Sequence, residues 1–286
     1  MILKGKAVTR KIYDKIKSGL ADQQRQPKLA VLVIGYDPAS DFYVKNLQKN
    51  GKKNGIKVEV INLSSEISQD DFIKEIERFN IDPGTDAVML QKPFPEHFDD
   101  EYIAEKINPE KDVDAFHPVN MGNLVLDKPG FIPCTAAAVL EILDYYEIET
   151  SGKNVVVLGR SNIVGKPLAN LLLRKNKTGN ATVTVCHSRT ENLPSCIRKA
   201  DILIAAIGQP EFVKGDWIKE GTVVIDVGIN LKEDEEGSRY TGDVLYDECE
   251  GKSGAITPVP GGVGSVTSAM LLMNVYKAFK NRAEKE

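Results

Sequence analysis

The sequence predicts an α/β protein of two domains, each built on a parallel sheet with helices packed against it. Three observations carry this reading. At 286 residues the chain is long enough for two cores, given roughly 100–200 residues per domain. Strand-like and helix-like segments alternate along both halves, and parallel strands need such crossovers. Several strand-like runs are almost continuously apolar, as strands covered on both faces must be.

The elements follow in order. MILKGKAVTRKIYDKI reads as a short strand and an amphipathic helix, and KLAVLVIGYD (28–37) as a buried strand. YVKNLQKNGKKNGI (43–56) reads as a surface helix with apolar teeth. Tyr43 and Leu47, one turn apart, share a face, while Lys45 and Lys49 point elsewhere at about 100° per residue. KVEVINLS (57–64) alternates like a strand, SQDDFIKEIERFN (68–80) has helical spacing with an acidic first turn, and TDAVMLQKPFP (85–95) is strand, then proline-broken loop. In the second half TAAAVLEILDYY (135–146) is a helix, and NVVVLGRSNIVGKPLANLLLRK (154–175) is strand, glycine turn and helix. ATVTVCHSRT (181–190), ADILIAAIG (200–208) and TVVIDVGIN (222–230) read as three further buried strands, and EDEEGS (233–238) as a charged surface excursion. SVTSAMLLMNVYKAFKNRAEKE closes the chain as a helix. The expected division is 1–134 with the closing helix 266–286 as one domain, and 135–265 as the other.

Composition excludes several classes. Hydrophobic content of 42% and charge of 27% are those of a soluble globular protein. A net charge of -4 offers no general attraction to nucleic acid or to an anionic membrane. No apolar run approaches the roughly 18 residues of a membrane span, and the N-terminus lacks a signal-peptide apolar block. The four cysteines are scattered without C-x-x-C spacing, so neither a disulfide framework nor a zinc site is expected, and a reducing cytoplasm is the expected location. Three histidines without H-E-x-x-H spacing give no reason to expect a metal.

VVVLGRSNIVGKP places a strand, then Gly159-x-Ser161-x-x-x-Gly165, then a helix. A pyrophosphate needs such a tight turn, so that backbone N–H groups and a helix N-terminus can meet it. The spacing departs from G-x-G-x-x-G, since Ser161 replaces the second glycine and the last comes one residue late. The next strand ends in CHSRT, where a free ribose 2′-hydroxyl would call for a carboxylate. Ser188 and Arg189 stand there instead, with Arg160 near by in the turn, and hydroxyl plus guanidinium suits a 2′-phosphate. The expected cofactor is therefore NADP rather than NAD; the plainer alternative makes both arginines solvated loop residues.

GRSNIVGKP, CHSRT, IGQPEFVKGDWIKEG, VVIDVGIN, GDV and ITPVPGGVGSVT resemble the C-terminal half of the bifunctional methylenetetrahydrofolate dehydrogenase/methenyltetrahydrofolate cyclohydrolase family. YV, GI, LQKPFP, NPEKDVDAFHPVNMG and PCT match its N-terminal half in order and spacing. The resemblance implies an N-terminal parallel-sheet folate domain and a C-terminal Rossmann-like dinucleotide domain, with a cleft between them, usually in a homodimer. It implies tetrahydrofolate one-carbon derivatives as substrates, with a place in purine biosynthesis. By resemblance Tyr43 stacks on the folate ring system, Gln91 lines the reactive centre and Asp114 hydrogen-bonds the pterin. Leu90, Lys92, Pro260, Gly261, Gly262, Gly264 and Thr267 are the further expected substrate contacts; Gly159, Arg160, Ser161, Ser188, Arg189 and Ile229 are those of the dinucleotide. Alone, each residue has a plainer reading: Tyr43 as half-buried packing, Asp112 and Asp114 as turn or cap residues, PVPGG as a rigid loop. The ordered set favours the family.

One position departs from it. The family pattern Y-V-x-x-K-x-K reads here Tyr43-Val44-Lys45-Asn46-Leu47-Gln48-Lys49, so its key catalytic lysine is Leu47. The resemblance thus implies a dehydrogenase whose cyclohydrolase activity is weak or absent. The alternative is a fully bifunctional enzyme in which Lys92, where the family commonly has leucine, supplies the ammonium. Ala115, Ser265 and Ala136 also depart, standing where glycine, proline and proline are usual. Two other readings stay open: a shikimate-type or amino-acid dehydrogenase by fold analogy, and a non-enzymatic folate or nucleotide binder.

Overall fold

The computed structural model describes residues 1–234 and 237–284. The chain divides into two compact units, Lys11–Cys134 with Ser268–Glu286, and Met1–Arg10 with Thr135–Thr267. Helices α1 (Gly5–Leu20) and α10 (Val263–Ala283) each contribute to both.

In the first unit, β1 (Lys28–Ile34), α2 (Pro38–Lys53), β2 (Lys57–Leu63), α3 (Gln69–Ile81) and β3 (Ala87–Gln91) are followed by α4 (Asp100–Ala104) and α5 (Pro118–Val125). The sheet is parallel in the order β2-β1-β3, with Leu29 opposite Val58 on one side and Ala87 on the other. The central strand β1 has the continuous apolar run because both its faces are covered. On one face Ala30, Leu32, Val88 and Leu90 pack against Phe72, Ile76 and Phe79 of α3, and Phe98, Ile103 and Ile107 extend this core. Burying a side chain such as Phe72, fully covered here, contributes about 1.5–3 kcal/mol.

Helix starts follow the sequence. Asp37 caps α2 by accepting from Ser40 N at 2.7 Å, with Pro38 in the first turn where its missing N–H costs nothing. Ser68 caps α3 by accepting from Asp71 N at 3.1 Å.

The second unit contains α6 (Cys134–Tyr145), β4 (Asn154–Leu158), α7 (Gly165–Leu173), β5 (Thr182–Cys186), α8 (Leu193–Ile197) and β6 (Ile202–Ala205). β7 (Val223–Asp226), β8 (Asn230–Asp234), β9 (Gly237–Thr241), α9 (Tyr246–Glu250) and β10 (Ala255–Ile256) follow. Five strands form a parallel sheet in the order β10-β7-β6-β4-β5. The order reverses at β4: the chain moves outward to β5, then returns to β6 on the other side. Leu168, Leu171 and Leu172 give α7 its buried face. Val156, Leu158, Leu203, Ala205 and Val224 pack with Ile197 and Cys249 in one core.

The structure corrects two expectations. β5 is not a buried strand: it is the sheet edge, and Thr182, Thr184 and Val185 are exposed. EDEEGS is not a simple excursion: Glu233 and Asp234 end β8, and Gly237 and Ser238 begin β9, the two strands of an antiparallel hairpin; Glu235 and Glu236 lie outside the described residues. The lysine-rich helix has the expected apolar teeth: Ser40, Val44, Leu47, Gly51 and Asn54 make a continuous buried stripe along α2, with Lys45, Lys49, Lys52 and Lys53 exposed. No described helix is long and apolar enough to cross a membrane.

Candidate active site

The buried stripe of α2 organises the first group of residues. Gln91, at the end of β3, donates from Nε2 to Ser40 Oγ at 3.3 Å and to Lys92 O at 2.7 Å. Its Oε1 is buried without a hydrogen-bond partner, an acceptor that a ligand donor would satisfy. Tyr43, one turn after Ser40, sits beside Asp114, Cys134 and Ser268. Burial first, then the neighbouring Asp114, pushes its phenol well above the ordinary range, so it stays protonated. Leu47, one turn further, is only 1% exposed.

Asp112 and Asp114 take different roles. Asp112 is the turn residue: it accepts from Phe116 N, His117 N and Asn120 Nδ2 at 3.1, 2.8 and 2.9 Å. Asp114 meets the Cys134 thiol and backbone N–H at the start of α6, and burial pushes its carboxyl up to about 6. It is also close enough to Tyr43 to push that phenol further up.

Directly after Asp114 the loop forces Ala115 to a φ of 59°, the left-handed region where glycine is free and a Cβ is strained by about 1–2 kcal/mol. Ala115→Gly is expected to raise the unfolding free energy by about 0.5–1 kcal/mol after glycine's extra unfolded-chain entropy is subtracted. A higher denaturant midpoint at unchanged slope is the readout, and a lower midpoint contradicts it.

Lys92 lies next to this group, and its backbone oxygen accepts from Ser40 Oγ and Gln91 Nε2, but its ammonium pairs elsewhere. Its Nζ lies 2.5 Å from Asp100 Oδ2 and 5.2 and 5.5 Å from the ring centres of Phe94 and Phe116. The side chain of Leu90, an expected substrate contact, lies in the core: it alternates with Gln91 across β3 and packs against α3 at 2% exposure, which leaves its backbone to face a ligand. A cavity of 310 Å³ is lined by Tyr36, Ser40, Gln91 and Lys92 among others.

In the second unit, the turn after β4 sits at the strand-order switch, where open α/β sheets bind ligands. Gly159 has a φ of 125°, and a Cβ there would lie 2.2 Å from Ala206 O; one on Gly165 would lie 2.1 Å from Gly159 O. Only glycine lets these backbones approach. Ser161 Oγ fastens the turn by accepting from Val164 N at 3.1 Å. Gly159 N donates to Cys186 O at 2.9 Å, so the tips of β4 and β5 are side by side. Arg160, Ser161, Ser188 and Arg189 are exposed at those tips. These residues fit a dinucleotide: a close glycine turn before a helix, with hydroxyls and guanidiniums but no carboxylate at the adjoining tip.

The glycine loop shows the same crowding. Gly261 O accepts from Gly5 N at 2.8 Å, and a Cβ on Gly262 would lie 2.5 Å from Pro258 O. A Cβ on Gly264 would lie 2.8 Å from Ile229 Cδ1. Pro260 is exposed, and Thr267 Oγ1 bonds back to Val263 O at 3.2 Å. At Ser265 the hydroxyl donates to Gly262 O at 2.8 Å, fixing the start of α10. Sequence reasoning missed Ser40, which gave no signal beyond a helix start, and the buried pair Asp226 and Asp243, described below.

Comparison with known proteins agrees with this geometry. Residues 3–114 match the catalytic domain of tetrahydrofolate dehydrogenase/cyclohydrolase, and residues 133–283 match its NAD(P)-binding domain. Bifunctional protein FolD of Chlorobium phaeobacteroides (strain BS1) is 48% identical over 288 residues, covering 97% of this chain and 96% of its own length. The crystal structure of bifunctional FolD from Campylobacter jejuni superimposes with a TM-score of 0.93 at 42% identity, over 99% of both chains. The Trypanosoma brucei dehydrogenase-cyclohydrolase, complexed with NADP cofactor and inhibitor, gives a TM-score of 0.92 at 37% identity, over 99% of this chain and 98% of its own. With both halves matched and near-complete coverage, the chain belongs to the tetrahydrofolate dehydrogenase/cyclohydrolase family.

Proposed function

We propose that the protein oxidises 5,10-methylenetetrahydrofolate to 5,10-methenyltetrahydrofolate with NADP, and hydrolyses the product weakly or not at all. The carrying observation is Leu47, an apolar side chain in the buried stripe of α2 at the family's lysine position. When bound, NADP supplies the acceptor for the hydride leaving the methylene carbon. No proton has to move in that step, so holding the substrate in place can suffice. Tyr43 offers a ring face and a phenol that stays protonated, Gln91 an unpaired acceptor, and Asp114 a carboxylate for the pterin's N–H groups.

Hydrolysis of the methenyl cation differs. Water must be activated and a proton delivered to a ring nitrogen, general acid–base work worth about 10²–10⁴-fold. Leucine can do neither. Lys92 is the alternative donor; its ammonium pairs with Asp100 at the surface and lies 5.2 and 5.5 Å from the ring centres of Phe94 and Phe116, which favours Leu47 as the deciding position. NADP is preferred because Arg160, Ser188 and Arg189 cluster at the strand tips and because the Trypanosoma brucei relative carries NADP. A homodimer, a cytoplasmic location and a supply of one-carbon units to purine synthesis belong to the same proposal. Reduced nicotinamide formed from methylenetetrahydrofolate tests it: NADP is expected to be preferred over NAD, and absence of turnover with either would overturn the reading.

A further inference from the structure

Two buried carboxylates of the second unit take no part in the chemistry above. Asp243 is fully buried and accepts from Ile207 N at 2.6 Å, Gly208 N at 3.1 Å, Gln209 N at 2.9 Å and Asn230 Nδ2 at 3.0 Å. Asp226, 4% exposed, accepts from Gly228 N at 3.1 Å, Asp243 N at 2.9 Å and Val244 N at 2.9 Å. Buried carboxylates are tolerated only when so satisfied. Glycines make the approach possible: a Cβ on Gly228 would lie 2.2 Å from Asp243 Oδ1, and one on Gly242 would collide with Asp226 Oδ2. The arrangement is a chain, with Asp226 fixing the backbone of Asp243, and Asp243 fixing two loops.

Those loops are specific. Residues 207–209 follow β6, which adjoins β4 at the strand-order switch, and Ala206 O abuts Gly159 there. Asn230 follows Ile229 after β7. In this architecture the glycine turn takes the pyrophosphate and the tip of the strand after it takes the adenine-side ribose. The tips of β6 and β7 lie on the opposite side of the switch, so they flank the other half of the dinucleotide. We propose that Asp243, held by Asp226, is a positioning residue that sets the wall for the nicotinamide half of the cofactor. This rests on the NADP reading above.

Asp243→Asn keeps the size but turns a donor toward backbone N–H groups. Direct titration of the folded variant is expected to show NADP binding weakened by about 10–100-fold, the loss of charge-assisted hydrogen bonds. Adenosine 2′,5′-bisphosphate, which carries only the adenine half, is expected to bind within about threefold of wild type. Parallel loss of both ligands would mean a merely structural role, and no loss of either would mean no role; each overturns the proposal. Should Asp243→Asn fail to fold, Asn230→Ala removes one donor while keeping the carboxylate, and the same split should appear, about three- to tenfold in size. Wild-type protein that binds neither ligand would contradict the cofactor reading itself rather than this inference.

Discussion

Leu47→Lys is expected to raise methenyltetrahydrofolate hydrolysis by about 10²-fold or more above wild type, the usual worth of a positioned general acid–base. The geometry explains why this position and no neighbour matters. Helical Cα–Cβ bonds tilt toward the N-terminus, so a side chain at 47 leans back over the turn that carries Tyr43. Ser40, one turn earlier again, contacts Gln91, so an amine from 47 extends along the face where the unpaired Gln91 acceptor and the Tyr43 phenol gather. Leu47 is 1% exposed, and burial there would lower a lysine's pKa toward neutrality, as a proton shuttle requires. Lys45 cannot substitute: it is exposed and lies 2.7 Å from Asp41 on the other side of the helix. The variant should be less stable than wild type because an amine replaces core packing. Retained dehydrogenase turnover shows that it is folded, and retained turnover with no gain in hydrolysis would sink the proton-shuttle account.

Asp114 gives the second large effect. In the role proposed for it, its carboxyl, raised to about 6 by burial, would have to be ionised to accept two N–H groups of a pterin. Protons therefore compete with substrate, and KM for the folate should rise about tenfold per pH unit below 6 while the KM for NADP stays level. A flat folate KM from pH 7.5 to 5 would contradict the assignment. Asp114→Asn should raise the folate KM by about 10²-fold, two charge-assisted bonds being lost. The same variant should be the more stable protein at pH 8. A carboxyl whose pKa rises on folding favours the folded state fully below its unfolded value of 3.8, and loses that contribution as pH climbs through about 6. The stability gap should hence close between pH 6 and 4. Better folding with worse binding marks a residue kept for function.

How far the sequence could be read depended on whether the determinant was local. β1 and the β4–turn–α7 unit stood out because a continuous apolar run or a fixed glycine spacing lies within a few residues. The β8–β9 hairpin did not, because NLKED and GSRYT offer only Leu231 and Tyr240 as large apolar residues, too few for a period-two signal. β5 is an edge strand that its apolar residues disguise: Thr182 and Thr184 alternate with valines, yet Val185 is exposed as well. In the candidate site, family motifs single out Tyr43, Gln91 and Asp114 as expected residues, while the core position of the Leu90 side chain follows from strand alternation. The Lys92–Asp100 pair spans eight residues, and Asp243 reaches back 36 residues to Ile207. Such partners have no spacing signature and emerge only once the chain is folded.

The most direct test is the decay of added methenyltetrahydrofolate in the presence of wild-type protein, set against its spontaneous rate and against dehydrogenase turnover in the same preparation. An active dehydrogenase that leaves the spontaneous rate nearly unchanged is the expected result, and it would mean that Leu47 has separated the family's two reactions. Hydrolysis keeping pace with dehydrogenation would contradict it, and would send the search for the proton carrier to Lys92.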